Sequence, residues 1–364
     1  MSEQAPLSSV AGLALPRSFE AFTPEWFTRA LSPRFPGVEV SGIERSRERV
    51  GTSASCQFSL AYARRGDKGD APSSVYIKGG FTPKQLKRYW MVLQQEARFF
   101  AEMADEVPMN IPDCYFAATD DAQQGITLLE DLKATRGARF GNWGALTRDE
   151  VASLLEQFAR MHARWAGDSR LDALRTNGQP QRDYFKYLIR DSHWEELKQR
   201  QFGHRLAELF PDVQLLRDAL DAMWALNDRE PATLCHGDPH GGNMFFERDG
   251  TPGVLDFQLY FASTAMHDAS WLIVSSLSVE DRRKDEAHLL RHYLAAARAN
   301  GLELHDFDKS WLIYRQQMAH AVLGGACNPI EGGPLFMINK AGEVTTIAAQ
   351  DHDILGALGI AGTG

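Results

Sequence analysis

The run Cys235-His236-Gly237-Asp238-Pro239-His240-Gly241-Gly242-Asn243, followed by Val254-Leu255-Asp256-Phe257-Gln258, holds the residue types best suited to chemistry. Asn243 stands five positions after Asp238, and Asp256 thirteen positions after Asn243. Moving a phosphoryl group requires a carboxylate beside the attacking hydroxyl and oxygen ligands for magnesium on the nucleotide phosphates. This spacing assigns Asp238 to the hydroxyl proton, Asn243 to a neutral metal ligand and Asp256 to an anionic one. Gly237, Gly241 and Gly242 permit sharp turns close to phosphates. His236 and His240 are near enough to suggest a second metal site, but no third ligand of that type is evident. Both are therefore expected to bond backbone groups.

Such a loop needs a frame. Thr23-Pro24-Glu25 reads as a helix start, with a capping hydroxyl, Pro in the first turn and an acid behind it. Residues 38–64 alternate as two strands around the loop Val50 to Ser55, and Ser74 to Lys78 reads as a third strand. Thr82-Pro83 opens what the spacing predicts as one long helix, with Leu86, Trp90, Leu93, Ala97 and Phe100 on its apolar face. Cys114 to Ala118 and Ile126 to Leu129 complete a small, mostly antiparallel sheet. Residues 133–144 read as a connector. Thr147-x-x-Glu150 is a capping box that begins a helix with the stripe Val151, Leu154, Leu155, Phe158, Met161 and Trp165. The remainder reads as helical, apart from short strands around the motif. The expected fold class is α+β with two lobes, residues 1–132 around the sheet and 133–364 around the helices.

The pattern His236-Gly237-Asp238-x-His240-x-x-Asn243 with Leu255-Asp256-Phe257 resembles the aminoglycoside phosphotransferase and choline kinase-like superfamily. That resemblance implies a bilobal, protein-kinase-like fold and an ATP-dependent transfer to a small-molecule hydroxyl. Lys78 and Glu96 match the lysine and glutamate that would grip and brace the nucleotide phosphates. Leu128-Leu129-Glu130-Asp131-Leu132 is similar to the hinge between lobes, which brings Glu130 and Leu132 to the nucleotide. Gly51 and Ser53, in the loop after the first strand, are further candidates for phosphate contact, although a ligand-free hairpin turn suits them equally. Asp268 resembles a position that braces the catalytic loop. The expected cofactors are ATP, with GTP as the alternative, and Mg2+.

Other readings of the motif are a non-catalytic nucleotide-binding scaffold and an atypical protein kinase. Gly237 before the Asp, Gln258 after Asp256-Phe257 and the lack of an Ala-Pro-Glu anchor argue against the protein kinase. The Asp-Phe-Gln ending is similar to the ecdysteroid-kinase-like branch, whose acceptors are fairly apolar. The aromatics Tyr184, Phe185, Tyr187, Trp194, Phe202, Trp311 and Tyr314 offer an acceptor wall, or simply helix packing. Mixed charges around Glu195-Glu196 do not favour a polycationic acceptor, which leaves a partly apolar alcohol or phenol.

With 364 residues and a formal charge of -9, the chain is long enough for two cores and has no general affinity for nucleic acid. No run approaches the ~18 apolar residues of a membrane span, and Met1 to Leu15, without a basic region ahead of an apolar core, do not read as a secretory signal. Cys56, Cys114, Cys235 and Cys327 are widely spaced, as expected of reduced thiols in the cytoplasm.

Overall fold

The computed structural model describes residues 12–328 and 334–360. Its first part is a five-stranded antiparallel sheet in the order β1-β2-β3-β5-β4. The strands are β1 (Val38–Val50), β2 (Ala54–Arg65), β3 (Ser74–Gly79), β4 (Cys114–Thr119) and β5 (Gly125–Glu130). Alternation decides which face is buried: Cys56, Phe58 and Leu60 of β2 point inward while their neighbours lie nearer solvent. They meet α1 (Pro24–Leu31), whose start is held by the Thr23 hydroxyl accepting from Trp26 N. Phe22, Phe27, Phe58 and Phe116 form the centre of this smaller core.

The helix predicted from Thr82 onward is two helices. α2 (Pro83–Arg88) ends at Tyr89, which leaves helical geometry at φ −118°, ψ 10°, and α3 (Trp90–Glu102) follows. Gln85 anchors the first of them. Its side chain accepts from Phe81 N and Thr82 N and donates to Gly51 O, which ties α2 to the β1–β2 loop. The apolar stripe continues across the break, since Leu86 and Leu93 both close over Gly80.

The larger part is helical. α4 (Leu132–Thr135) and the two-residue strand β6 (Arg139–Phe140) lie in the predicted connector, and α5 (Arg148–Trp165) starts at the Thr147–Glu150 capping box. Next come α6 (Leu171–Leu188), α7 (Asp191–Lys198), α8 (Gly203–Leu209) and α9 (Val213–Asn227). The motif occupies the short strands β7 (Thr233–Cys235), β8 (Met244–Phe246), β9 (Pro252–Val254) and β10 (Phe261–Ser263). The chain continues through α10 (Met266–Ser276), α11 (Val279–Ala299), α12 (Phe307–Gln316), α13 (Met318–Ala326), α14 (Leu335–Asp351) and α15 (Ile354–Leu358). Buried residues of α5, α9, α10, α11 and α13 form the larger core, which also takes Phe99 and Phe100 from α3. Among the described residues no helix is long and apolar enough to cross a membrane. All four cysteines are free and buried.

The segment after β5 is tied to both parts. Asp131 accepts from Ser74 of β3 and Gln57 of β2, and its other oxygen caps α4. Arg136 binds Glu130 on one side and Asn110 and Glu247 on the other.

Candidate active site

Register and helix phase bring Lys78, Glu96 and Asp256 together. β3 carries Lys78 inward beside β5, and α3 presents Glu96 from its buried face. Lys78 Nζ lies 2.8 Å from Glu96 Oε1 and 2.8 Å from Asp256 Oδ1. Asp256 is delivered by a left-handed turn, φ 68° and ψ 66°, unusual for a residue with a side chain. The turn is held by the next residue. Phe257 stacks flat on Phe99 of α3, centroids 3.9 Å apart, and His236 Nε2 bonds Leu255 O at 2.8 Å.

One ammonium thus serves two carboxylates. Burial opposes the charge on Lys78, but Asp256 and Glu96 outweigh it and hold the amine above its ordinary range. For Asp256 burial opposes ionisation, but Lys78 prevails and holds its carboxyl low. Glu96, more deeply enclosed, is pushed by burial up to about 7 despite Lys78.

The loop of Asp238 is fixed from beneath. Gly237 sits at φ 87°, and a Cβ there would lie 2.0 Å from Leu259 O, so both the conformation and the space require glycine. Asp268, at the start of α10, accepts from His236 N at 2.7 Å and Gly237 N at 3.0 Å. His162 of α5 adds a contact at 3.2 Å and is itself bonded to Tyr293. Burial disfavours the Asp268 charge, but His162 and the neighbouring imidazoles hold its carboxyl low. His162, Cys235 and Asp268 are grouped closely enough to hold a metal. The Asp268 oxygens are already spent on the loop amides, which is a structural use.

Asn243 Nδ2 donates to Asp238 O at 2.9 Å. Because a carbonyl can only accept, that bond fixes the amide orientation and leaves Asn243 Oδ1 out of it. His236 accepts from Asp238 N, and His240 Nδ1 accepts from Gly242 N, so both histidines bond backbone groups as the sequence suggests. Burial pushes His240 down to about 4, so it is neutral. Burial pushes the Asp238 carboxyl up to about 7, although its side chain keeps 30% exposure and water tempers that push.

The other predicted contacts stand differently. Gly51 and Ser53 lie in the β1–β2 turn, closed by Gly51 N to Ser53 O, with the Gly51 carbonyl engaged by Gln85. The Glu130 carboxylate is committed to Arg136 and Thr135, and Leu132 packs with Ala138, Phe245 and Leu255. Any nucleotide contact at those two residues therefore falls to the backbone.

The sequence model of the Phosphotransferase enzyme family matches residues 84–305, well over half of the chain. The chain belongs to that family. The matched span contains Glu96, Asp238, Asn243, Asp256 and Asp268, with Lys78 just before it. A solved spectinomycin phosphotransferase, in complex with ADP and spectinomycin, is similar in fold at TM-score 0.51 and 11% identity, covering 92% of this chain and 100% of that one. Choline kinase LicA from Streptococcus pneumoniae gives 0.47 and 11%, covering 92% and 98%. An ethanolamine kinase from Plasmodium vivax gives 0.48 and 15%, covering 85% and 81%. No sequence match is found among curated proteins. The bilobal, protein-kinase-like architecture expected from the motif is therefore the observed one.

In this phosphotransferase the indole bonded to Asp238 was not among those singled out from the sequence. Trp271 of α10 donates to Asp238 Oδ1 at 3.0 Å, and Trp143 stacks on His240 with centroids 4.6 Å apart. Trp194, Phe202 and Tyr314 instead pack in the helical core, and Trp311 stacks on Tyr314. Phe185 reaches His320, while Tyr187 is exposed between Arg88 and Arg190. The side chain of Tyr184 lies outside the described residues. Helix α14 also approaches the site: a Cβ at Gly144, next to Trp143, would lie 3.0 Å from Lys340 Cε.

Proposed function

We propose that this phosphotransferase moves the γ-phosphate of ATP to a hydroxyl of a partly apolar alcohol or phenol. The observation that carries the reading is the Lys78–Glu96–Asp256 triad, joined at 2.8 Å distances, in the same structure as a braced Asp238. In this reading Lys78 holds the nucleotide phosphates, with Glu96 fixing the ammonium. Asp238 takes the acceptor proton. Asn243 Oδ1 and the Asp256 carboxylate make an all-oxygen donor pair of the kind that suits magnesium. Bound there, magnesium would neutralise charge on the phosphates. GTP is the alternative donor, with purine choice left to the backbone of residues 130–132. Gly51 and Ser53 are assigned to the phosphate side of the nucleotide.

The acceptor class rests on what surrounds Asp238. Trp271, Trp143 and His240 are rings without formal charge, and they place apolar surface beside Asp238. We take residues 1–132 as the nucleotide lobe and 133–364 as the catalytic and acceptor lobe. The four unpaired thiols support a cytoplasmic setting.

The test is incubation with Mg-ATP and a panel of phenols, sterols, amino sugars and choline, reading ADP release and product mass. Product is expected from the wild type on an apolar hydroxyl and not from Asp238→Ala, which should still bind nucleotide. Product only on amino sugars would refute the acceptor class. Wild-type turnover by Asp238→Ala would refute the role of Asp238.

A further inference from the structure

The two carboxylate oxygens of Asp238 have different surroundings. Oδ1 accepts a hydrogen bond from Trp271 Nε1 at 3.0 Å. Oδ2 accepts none among the described residues, and His240 Nε2 stands 3.7 Å from it, outside hydrogen-bond reach. An indole N–H can only donate, so the bond to Oδ1 has one sense and no tautomer can reverse it.

The indole is itself held in place. Trp271 is buried and meets Trp143 edge-on at 5.3 Å and His320 edge-on at 5.5 Å. It also lies against Gly324 of α13, where a Cβ would come within 2.9 Å of Trp271 Cζ2. A residue any larger at 324 would push on the ring. Trp143 and two residues of α13 therefore converge to aim one N–H at one oxygen.

We infer that Trp271 is a positioning residue for phosphoryl transfer, anchoring Oδ1 so that Oδ2 is the atom that takes the acceptor proton. The terminal torsion of an aspartate is broad and roughly two-fold, so an unanchored carboxylate would spend much of its time misdirected. A fixed donor removes that freedom before the acceptor arrives. In the step itself the acceptor O–H bond breaks and its proton goes to Oδ2. The acceptor oxygen bonds to the γ-phosphorus as the bond from that phosphorus to the bridging oxygen breaks, and ADP leaves with the electron pair. The inference rests on the role given to Asp238 above.

The experiment compares full-length wild type, Trp271→Phe, Trp271→His, Asp238→Ala and the double variant Trp271→Phe/Asp238→Ala. ADP release is read at saturating Mg-ATP with the hydroxyl panel present, alongside the KM for ATP and the Tm of each protein. Hydrogen bonds to charged groups are strong enough that Trp271→Phe should lower kcat about ten- to hundredfold, with KM for ATP unchanged. Trp271→His keeps a ring N–H and should recover part of the loss. The double variant should be no slower than Asp238→Ala, because the anchor has nothing left to hold. Wild-type kcat in Trp271→Phe would overturn the inference, as would equal losses in the Phe and His variants or a further loss in the double variant. If Asp238→Ala turns over like wild type, the functional reading itself has failed and the inference falls with it. Should Trp271→Phe not fold, Gly324→Ala displaces the indole while keeping its N–H. A lowered kcat at unchanged KM is then expected, and wild-type kcat refutes the role.

Discussion

Replacing Glu96 with Gln should make the nucleotide-free protein more stable at alkaline pH and less active. Glu96 is 3% exposed and shares the Lys78 ammonium with Asp256, each at 2.8 Å. Burial pushes its carboxyl from 4.5 up to about 7, with Lys78 opposing the shift and Asp256 adding to it. The folded value lies above the unfolded one. The contribution of Glu96 to stability is therefore fully present below about pH 4.5 and is lost as pH rises through about 7. The loss by pH 8 is on the order of a few kcal/mol. Gln does not ionise and escapes that loss. Lys78 gives up one of its two carboxylates in exchange, which makes the net gain at alkaline pH smaller than that loss. Urea unfolding in EDTA, without nucleotide, at about pH 5 and about pH 8 gives the difference between the two proteins. The variant should gain on the wild type between those pH values, while its kcat/KM for ATP falls because Lys78 is less firmly placed. A stability difference independent of pH, or one that moves in favour of the wild type as pH rises, would refute the charge argument.

The acid limb of the rate profile should follow Asp238: burial raises its carboxyl to about 7, so transfer should fall as pH drops through that region and the carboxyl holds its proton. Steady-state rates at saturating Mg-ATP test this, and a flat profile down to about pH 5 would contradict it. Asp256→Ala should weaken binding of Mg-ATP far more than binding of ATP in EDTA, as read by calorimetry; equal losses would remove Asp256 from the metal site. Asp268→Asn leaves a loop amide facing an NH2 group in a fully buried setting, and should cost about 3 kcal/mol. Faster hydrogen exchange at the His236 and Gly237 amides should accompany that loss, and unchanged exchange would count against Asp268 as the brace.

What the sequence made legible was local. The capping hydroxyls of Thr23 and Thr147 act on amides three residues away, so their patterns survive any tertiary context. The bonding of His236 and His240 to backbone groups could be expected for the same reason, as Asp238 N and Gly242 N both lie two residues on in the loop. The break at Tyr89 was hidden because the apolar spacing continues through it, and the bond that ties α2 to the β1–β2 loop, Gln85 to Gly51, spans 34 positions of sequence. Trp271 was hidden for a similar reason. On α10, where every residue from Met266 to Ser276 is buried, no stripe singles out one ring as the one that faces the loop. The seat opposite it is Gly324, in a helix whose place beside α10 no local pattern reveals. Glu130 was read as a hinge contact from its neighbours, but Arg136 six residues on claims its side chain.

The acidic groups near the site can be ordered by how fully their oxygens are engaged, and that order separates scaffold from chemistry. Asp268 has both oxygens bonded, to two loop amides and an imidazole, and is fully buried. Glu96 has one oxygen on Lys78 and a long contact from Gln258 at 3.4 Å on the other, which suits a brace. Asp256 has one oxygen on Lys78, and its side chain is 33% exposed, which leaves room for a cation. Asp238 has one oxygen held by an uncharged donor and the other open. An engaged carboxylate is inert because taking up a proton would break bonds already made. A carboxylate held at one oxygen keeps its direction and can still accept at the other. On that ground, and because its donor is an uncharged indole where Asp256 faces the Lys78 ammonium, Asp238 is the residue we propose for the proton of the acceptor hydroxyl.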